Sequence, residues 1–236
     1  MATLRTPLDA LAFDQPGHGR APDWDGAGDY HDLVSAQAAA HLVAITSARP
    51  ALVIGHSFGA TVALRLALEQ GPRVGALVLF EPVLFAAARG DPRHDAHLRD
   101  ERPFRDAMAR GDHAGAVAAF VARWGEGTPF AAMPGPVRAR IAAQMPLIVA
   151  TAPALTEDCA GLLAPGRLET CAAPVLMLHG TRSPPVIAAI IAGLAARLPH
   201  AQVVQVPEAG HMAPMTHAGA VAALIDAWLG GVAPGL

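Results

Sequence analysis

Cysteines and charged side chains are scarce in this chain. Its 236 residues include two cysteines, Cys159 and Cys171, with no CxxC or Cys/His spacing around them. That scarcity excludes a disulfide framework and gives no support for a zinc site. Charged residues make up 16%, the formal net charge is −3, and Lys and Arg form no run. The electrostatic footprint of a nucleic-acid-binding protein is therefore missing, and we expect no nucleic-acid partner.

Long hydrophobic runs are also missing, although the mean hydropathy is +0.34. The longest apolar stretch, residues 186–196, is far shorter than the roughly 20 residues that a membrane-spanning helix needs. Residues 1–14 contain neither the apolar core nor the cleavage signature of a secretory signal. We expect a soluble cytoplasmic protein without membrane association, and its 53% hydrophobic residues suffice for one sizeable core.

Strand and helix signals alternate along most of the chain. Apolar runs predict strands at residues 8–13, 51–54, 74–80, 175–178 and 203–206. Helical patterns lie between and after them, at residues 30–48, 60–69, 185–198 and 218–228. Continuous apolar strands that alternate with helices are typical of a doubly wound, mostly parallel α/β sheet.

One segment, residues 86–168, interrupts this alternation. It contains no convincing strand, and its Ala- and Arg-rich helical stretches are broken by glycines and prolines. The simplest interpretation is a helical insertion between two core strands. We therefore predict a first core part over residues 1–85, the insertion over 86–168, and a second core part over 169–236.

Residues 55–59 read GHSFG, a G-x-S-x-G pattern between a predicted strand and a predicted helix. In that context the serine lies on a sharp turn, and side chains at the two glycine positions are expected to collide with the backbone. The turn brings the hydroxyl to the carboxyl edge of the sheet, next to a helix N-terminus. We predict Ser57 as a nucleophile and the Phe58 backbone N–H as an oxyanion-hole donor. A chance match in a Gly-rich chain is the competing interpretation.

A serine nucleophile needs a general base, and the chain offers 11 histidines. His211 lies in a loop after the last predicted strand, at the same sheet edge as Ser57, and is the predicted base. A surface-loop histidine without a role is the alternative. His56 is expected to point away from Ser57. Solvated helix positions are predicted for His31, His94, His97 and His113.

These residues resemble the motifs of the α/β-hydrolase superfamily, specifically its capped serine hydrolases. Residues 14–19, DQPGHG, are similar to the family's D-x-P-G-H-G turn, while 55–59 match its nucleophile elbow and 210–212 its histidine loop. The resemblance covers nearly the whole chain and identifies 86–168 as a helical cap. It implies hydrolysis of an ester or related acyl bond through an acyl-enzyme. The Ala-, Leu- and Met-rich composition of residues 86–168 favours a small, largely apolar substrate, and we expect no metal and no organic cofactor. The resemblance argues against dehalogenase and epoxide hydrolase chemistry, which use aspartate at the elbow.

The chain departs from the family in two places. The turn after residues 175–178, where the family carries its triad acid, reads HGTRSP and has no carboxylate. The family strands that precede residue 8 have no counterpart, and they include the loop that supplies the second oxyanion donor. The sheet is then expected to begin at residues 8–13 with an open apolar edge, which invites homo-oligomers. A non-catalytic or truncated α/β-hydrolase-like binding or scaffold protein is the alternative function.

Glu81 is the predicted triad acid, because it closes the strand at residues 74–80 at the carboxyl edge of the sheet. The chain resembles some haloalkane dehalogenases, which carry a glutamate acid after that same strand. Two other interpretations are a solvated Glu81 and a pair with Arg89. Asp14 is the next candidate for the acid, at a position that is usually structural in the family.

Overall fold

A four-stranded parallel sheet forms the centre of the computed structural model, which describes residues 4–46, 49–125 and 129–232. Its strands, in spatial and chain order, are β1 (Ala51–His56), β2 (Val74–Phe80), β3 (Val175–Gly180) and β4 (Ala201–Val206). All three neighbouring pairs are parallel. The prediction of an α/β fold with a parallel sheet is confirmed.

Helices connect and cover these strands. In the described residues they are α1 (Tyr30–Ile45), α2 (Phe58–Gln70), α3 (Pro92–Asp100), α4 (Arg102–Ala109), α5 (His113–Trp124), α6 (Gly135–Thr156), α7 (Pro185–Ala195), α8 (Ala213–Thr216) and α9 (Ala218–Val232). Aspartates cap several N-termini: Asp29 accepts a backbone hydrogen bond at α1, Asp91 at α3 and Asp112 at α5. Such caps satisfy N–H groups that the first helical turn leaves without a partner. No helix within the described ranges is both long and apolar enough to cross a membrane.

The sheet buries both faces, which explains the continuous apolar runs of its central strands. Alternate residues of β2 point to opposite sides. Leu77 and Leu79 belong to a cluster formed with α2 and α7, whereas Val78 and Phe80 belong to a second cluster with α9. Because helices cover both faces of the sheet, a functional site is expected at the carboxyl edge of the strands.

The predicted strand at residues 8–13 is wrong, because the structure gives this segment no regular hydrogen-bonded conformation. The segment has no β-branched residue, so its intrinsic preference for a strand is weak. The Phe13 ring instead packs on His41 of α1, with centroids 5.0 Å apart, and Leu11 is 47% exposed. Among the described strands, β1 and β4 form the two edges of the sheet. The open edge expected at residues 8–13 is therefore not found, whereas self-association itself stays a prediction.

Residues between 86 and 168 form helices α3 to α6, with no strand in the described part of the segment. Helix α5 packs on both α4 and α6, while α3 contacts α7 and α6 contacts α1. We propose the same division as before, with a core over 1–85 and 169–236 and a cap over 86–168.

Candidate active site

Ser57 lies in the sharp turn between β1 and α2. Its φ of 56° is a left-handed value that few non-glycine residues adopt, and its N–H donates to the Phe80 carbonyl at 2.9 Å. A Cβ on Gly55 would lie 2.3 Å from the Gly59 carbonyl oxygen, so this position requires glycine. The same expectation is wrong for Gly59, where an added Cβ meets nothing within 4 Å.

Phe58 is the first residue of α2, so its backbone N–H has no acceptor within the helix. It directly follows Ser57 and lies at the positive end of the helix dipole. Both residues line the same cavity. The structure thus leaves this N–H in the position from which a donor can stabilise negative charge beside the serine.

His211 follows β4 and meets Ser57 at the carboxyl edge of the sheet. Its Nε2 lies 3.0 Å from Ser57 Oγ, and the side chain is buried. Gly180, at the end of β3, makes this approach possible, since a Cβ there would lie 2.0 Å from the Ala209 carbonyl oxygen. Arg182 N–H then donates to that same carbonyl at 2.9 Å, which ties the histidine loop to β3.

Glu81 follows β2 and is completely buried next to His211. Its Oε2 lies 2.7 Å from His211 Nδ1, while its Oε1 accepts from the Gly180 N–H at 2.7 Å and from the Ser183 hydroxyl. Burial by itself would raise the pKa of Glu81. The hydrogen bonds from His211, Ser183 and Gly180 outweigh burial and leave the pKa below its usual value.

The alternatives for this carboxylate do not match the structure. Glu81 is neither solvated nor paired with Arg89, which instead contacts Glu157. Asp14 is exposed and accepts the Arg20 N–H at 2.9 Å within its own turn. Ser183, in the turn where the family carries its acid, contacts Glu81 directly. No sequence pattern predicts this contact, because the two residues are 102 positions apart.

Together the three side chains form a directional hydrogen-bonded chain. An ionised Glu81 accepts a hydrogen bond from the N–H at His211 Nδ1, so Nε2 carries a free lone pair directed at the Ser57 hydroxyl. This is the tautomer that a general base requires. The arrangement can therefore remove the hydroxyl proton and stabilise the imidazolium that results.

His56 does not line the cavity that contains Ser57 and His211, but it touches the histidine loop. Its Nε2 lies 2.8 Å from the His211 carbonyl oxygen, and the two rings are 4.8 Å apart. Burial, assisted by the neighbouring His211, lowers the pKa of His56 to about 4. A neutral ring with its proton on Nε2 donates to this carbonyl and holds His211 in place.

A cavity of about 650 Å³ opens beside Ser57 and His211. Its apolar walls come mainly from residues 85–155 and include Phe85, Phe104, Met108, Phe120, Trp124 and Ile148. The Trp124 ring lies edge-on to His211, with centroids 4.9 Å apart. Gln15 and His18 of the DQPGHG turn also line it, and the Tyr30 hydroxyl fixes that turn by donating to the Pro16 carbonyl at 2.8 Å.

Three of the histidines expected on solvated helix faces are buried, so that expectation is wrong for His31, His94 and His97. His113 alone of the four is exposed. For His94 and His97 the error arises because α3 is polar in sequence, and its composition does not reveal which of its sides the neighbouring helices cover. The i, i+4 spacing of His97 and Glu101 places both on one helix face but does not indicate that this face is buried.

Among the described residues, Asp29, His31 and Asp32 have donor atoms within 4.8 Å of one another, close enough for a metal ion. The Arg65 guanidinium lies 2.5 Å from Asp32 and 3.1 Å from His31 Nδ1. Asp29 also caps α1. The Arg65 guanidinium and the cap of α1 therefore explain why these three side chains lie close together.

Comparison with known proteins agrees with the fold. The model of the Alpha/beta hydrolase family matches residues 2–224. Lipase LipV of Mycobacterium tuberculosis is 40% identical over 77 residues, which are 33% of this chain and only 28% of the lipase. The crystal structure of haloalkane dehalogenase DatA from Agrobacterium tumefaciens has a TM-score of 0.64 at 18% identity, over 93% of this chain and 79% of that one.

A thermophilic esterase gives a TM-score of 0.63 at 20% identity, over 93% of this chain and 80% of the esterase. For NosK from Streptomyces actuosus the TM-score is 0.59 at 23% identity, over 93% of this chain and 84% of NosK. At these identities the solved structures show a shared fold. Because the family model spans most of its length, the chain belongs to the α/β-hydrolase family.

Proposed function

We propose that the chain is a serine hydrolase that cleaves an ester or related acyl bond of a small, largely apolar substrate through an acyl-enzyme. The observation that carries this proposal is the hydrogen-bonded chain from Glu81 through His211 to Ser57. That chain ends at the wall of an apolar cavity large enough for a small-molecule ligand.

In the proposed mechanism Ser57 attacks the carbonyl carbon while His211 Nε2 takes the hydroxyl proton. The Glu81 carboxylate stabilises the resulting imidazolium, and the Phe58 N–H donates to the oxyanion. His211 then returns the proton to the leaving alcohol, which departs and leaves the acyl group on Ser57. Water, deprotonated by the same histidine, releases the acid and regenerates the serine.

Halide displacement is the competing chemistry, because a dehalogenase is among the similar folds. That reaction in this family uses an aspartate at the elbow to attack carbon. Here the elbow carries Ser57, whose hydroxyl needs a base, and such a base lies 3.0 Å away. The site therefore favours acyl transfer over halide displacement.

A fluorophosphonate probe tests the proposal, since an activated serine reacts rapidly with it. We expect the wild-type protein to be labelled and the Ser57→Ala variant to remain unlabelled. Ser35→Ala is the matched control, because it removes a buried hydroxyl on α1 that has no hydrogen-bond partner in the described structure. Wild-type protein that resists the probe and hydrolyses no ester would contradict the proposal and favour a binding or scaffold role.

A further inference from the structure

Two polar side chains interrupt the apolar wall of the cavity at the end of α3. His97 and Glu101 are one helical turn apart, and His97 Nε2 lies 3.6 Å from Glu101 Oε2, too far for a hydrogen bond. The Glu101 side chain does not cap α4 and is 26% exposed. Among the residues described, none donates a hydrogen bond to its carboxylate.

Three other polar side chains that line the same cavity already have hydrogen-bond partners. The Thr151 hydroxyl donates to the Ile148 carbonyl at 2.7 Å, and the Arg105 guanidinium donates to the Leu98 carbonyl at 2.8 Å. The Tyr30 hydroxyl is committed to the DQPGHG turn. A carboxylate without a donor in an apolar wall costs free energy unless a ligand or water supplies that donor.

His97 is held rigidly beside this carboxylate. Its ring stacks on Phe85 with centroids 4.2 Å apart, and an Arg123 nitrogen lies 3.5 Å from its Nδ1. Burial, followed by the charge of Arg123, lowers the pKa of His97 to about 4, so the ring is neutral at pH 7. With Nδ1 facing a donor, the ring proton is on Nε2 and is directed towards Glu101.

The charges around Glu101 decide which ligand suits this pair. Burial raises the pKa of Glu101, while the nearby Arg105 and Arg123 act in the opposite direction. A ligand cation would bring a further positive charge beside two guanidinium groups, and a ligand carboxylate would be repelled by Glu101. A neutral hydroxyl both donates and accepts, and so matches the carboxylate and the His97 N–H together.

The pair is separated from the reacting groups by one aromatic side chain. The Trp124 ring lies 4.9 Å from the His211 ring and 6.1 Å from the His97 ring. A substrate whose scissile carbonyl is at Ser57 can therefore extend along the Trp124 ring to Glu101. The far end of the substrate chain, and not its reacting end, would meet the polar pair.

We propose that Glu101, supported by His97, binds a hydroxyl group at the distal end of an otherwise apolar ester. This inference rests on the proposed function and adds the substrate class: hydroxylated aliphatic esters. The hydroxyl donates to the Glu101 carboxylate, which has no hydrogen-bond donor among the described protein residues. Sites of this kind reject analogues that lack the group, because their own buried polar atoms then stay unpaired.

The test compares p-nitrophenyl alkanoates of graded length with counterparts that end in a hydroxyl, a carboxylate or a trimethylammonium group. A second set carries the same end groups on the alcohol part of the ester. For one chain length we expect kcat/KM to be about tenfold higher with the terminal hydroxyl, as one hydrogen bond to a charged group would give. Equal values throughout both sets, or a preference for either charged end, would overturn the inference.

Variants assign the effect to Glu101. Glu101→Leu should bring the ratio of hydroxylated to plain ester to one or below, and Glu101→Gln should keep part of it through its amide oxygen. Glu157→Leu is the matched control, because Glu157 lines the same cavity but is exposed and paired with Arg89; the ratio should be unchanged. A hydroxyl preference that survives Glu101→Leu would also overturn the inference.

A binding measurement separates this inference from the proposed function. Calorimetry on the Ser57→Ala variant, with methyl esters that do or do not end in a hydroxyl, needs no turnover. We expect a roughly tenfold lower Kd for the hydroxylated ester, and no such difference when Glu101→Leu is added. If the wild-type protein is neither labelled nor active but the hydroxylated ester still binds more tightly, only the hydrolase assignment is refuted. Turnover without the difference would refute only the hydroxyl site.

Discussion

Replacing Glu81 by glutamine changes a single atom of a carboxylate whose two oxygens meet three donors. Its Oε1 faces the Gly180 N–H, a donor that cannot become an acceptor. The amide oxygen of glutamine must therefore take this position, and the amide NH₂ is left facing His211 Nδ1. That nitrogen then becomes an acceptor, and the imidazole proton moves to Nε2.

A proton on Nε2 faces the Ser57 hydroxyl across the 3.0 Å contact and removes the base. The corresponding tautomer change in a serine protease triad lowers kcat by about 10⁴, or about 5 kcal/mol of transition-state stabilisation. We expect a loss of this order for Glu81→Gln. The double variant with Ser183→Asp should recover part of the rate, because residue 183 contacts the same buried carboxylate.

The assay is steady-state hydrolysis of p-nitrophenyl butyrate, with thermal unfolding measured on each variant to verify the fold. Asp14→Asn is the matched control, since Asp14 is an exposed carboxylate that accepts a hydrogen bond within its own turn; its kcat should stay close to that of the wild type. A Glu81→Gln protein with wild-type kcat would refute the assignment of Glu81 as the acid.

Three further predictions follow from the geometry. Gly180→Ala should lower both the melting temperature and kcat, because the added Cβ would lie 2.0 Å from the Ala209 carbonyl oxygen. Gly59→Ala is the control and should change neither quantity, since a Cβ there meets nothing within 4 Å. Equal losses in the two variants would contradict the steric explanation. His56→Ala should lower kcat about tenfold through loss of the bond to the His211 carbonyl, and a shift confined to KM would argue against a positioning role. Burial lowers the pKa values of His31, His56 and His97 from 6.5 to about 4, so on acidification the unfolded chain binds protons before the folded protein does. The free energy of unfolding should therefore fall as the pH drops from about 6.5 to about 4, by up to about 3 kcal/mol for each histidine. Constant stability in denaturant titrations over that range would contradict their burial.

The central strands were predictable because their signal is local. Residues 74–80 form a continuous apolar run between a turn and Glu81-Pro82, and β2 occupies those same residues. The predicted strand at residues 8–13 failed because a short apolar run without β-branched residues fits other conformations, and contacts with α1 decided the outcome.

Order along the chain was enough to nominate Ser57, His211 and Glu81, because parallel strands place their carboxyl ends at one edge. The contacts that support them were not predictable, since Gly180 and Ser183 meet Glu81 only after residues about a hundred positions apart fold together. The burial of His97 likewise depends on how α3 packs on Phe85 and Trp124. Sequence patterns identify one helix face but not what covers it.

The acyl-enzyme itself tests the central claim most directly. Intact-protein mass spectrometry of the wild-type protein, quenched in acid during turnover of a slowly hydrolysed p-nitrophenyl ester, should show one added acyl group. Peptide mapping should place this group on Ser57, and the adduct should be absent from Ser57→Ala and form far more slowly in His211→Ala. Turnover at the wild-type rate by Ser57→Ala, or an adduct on any other residue that accounts for turnover, would contradict the account.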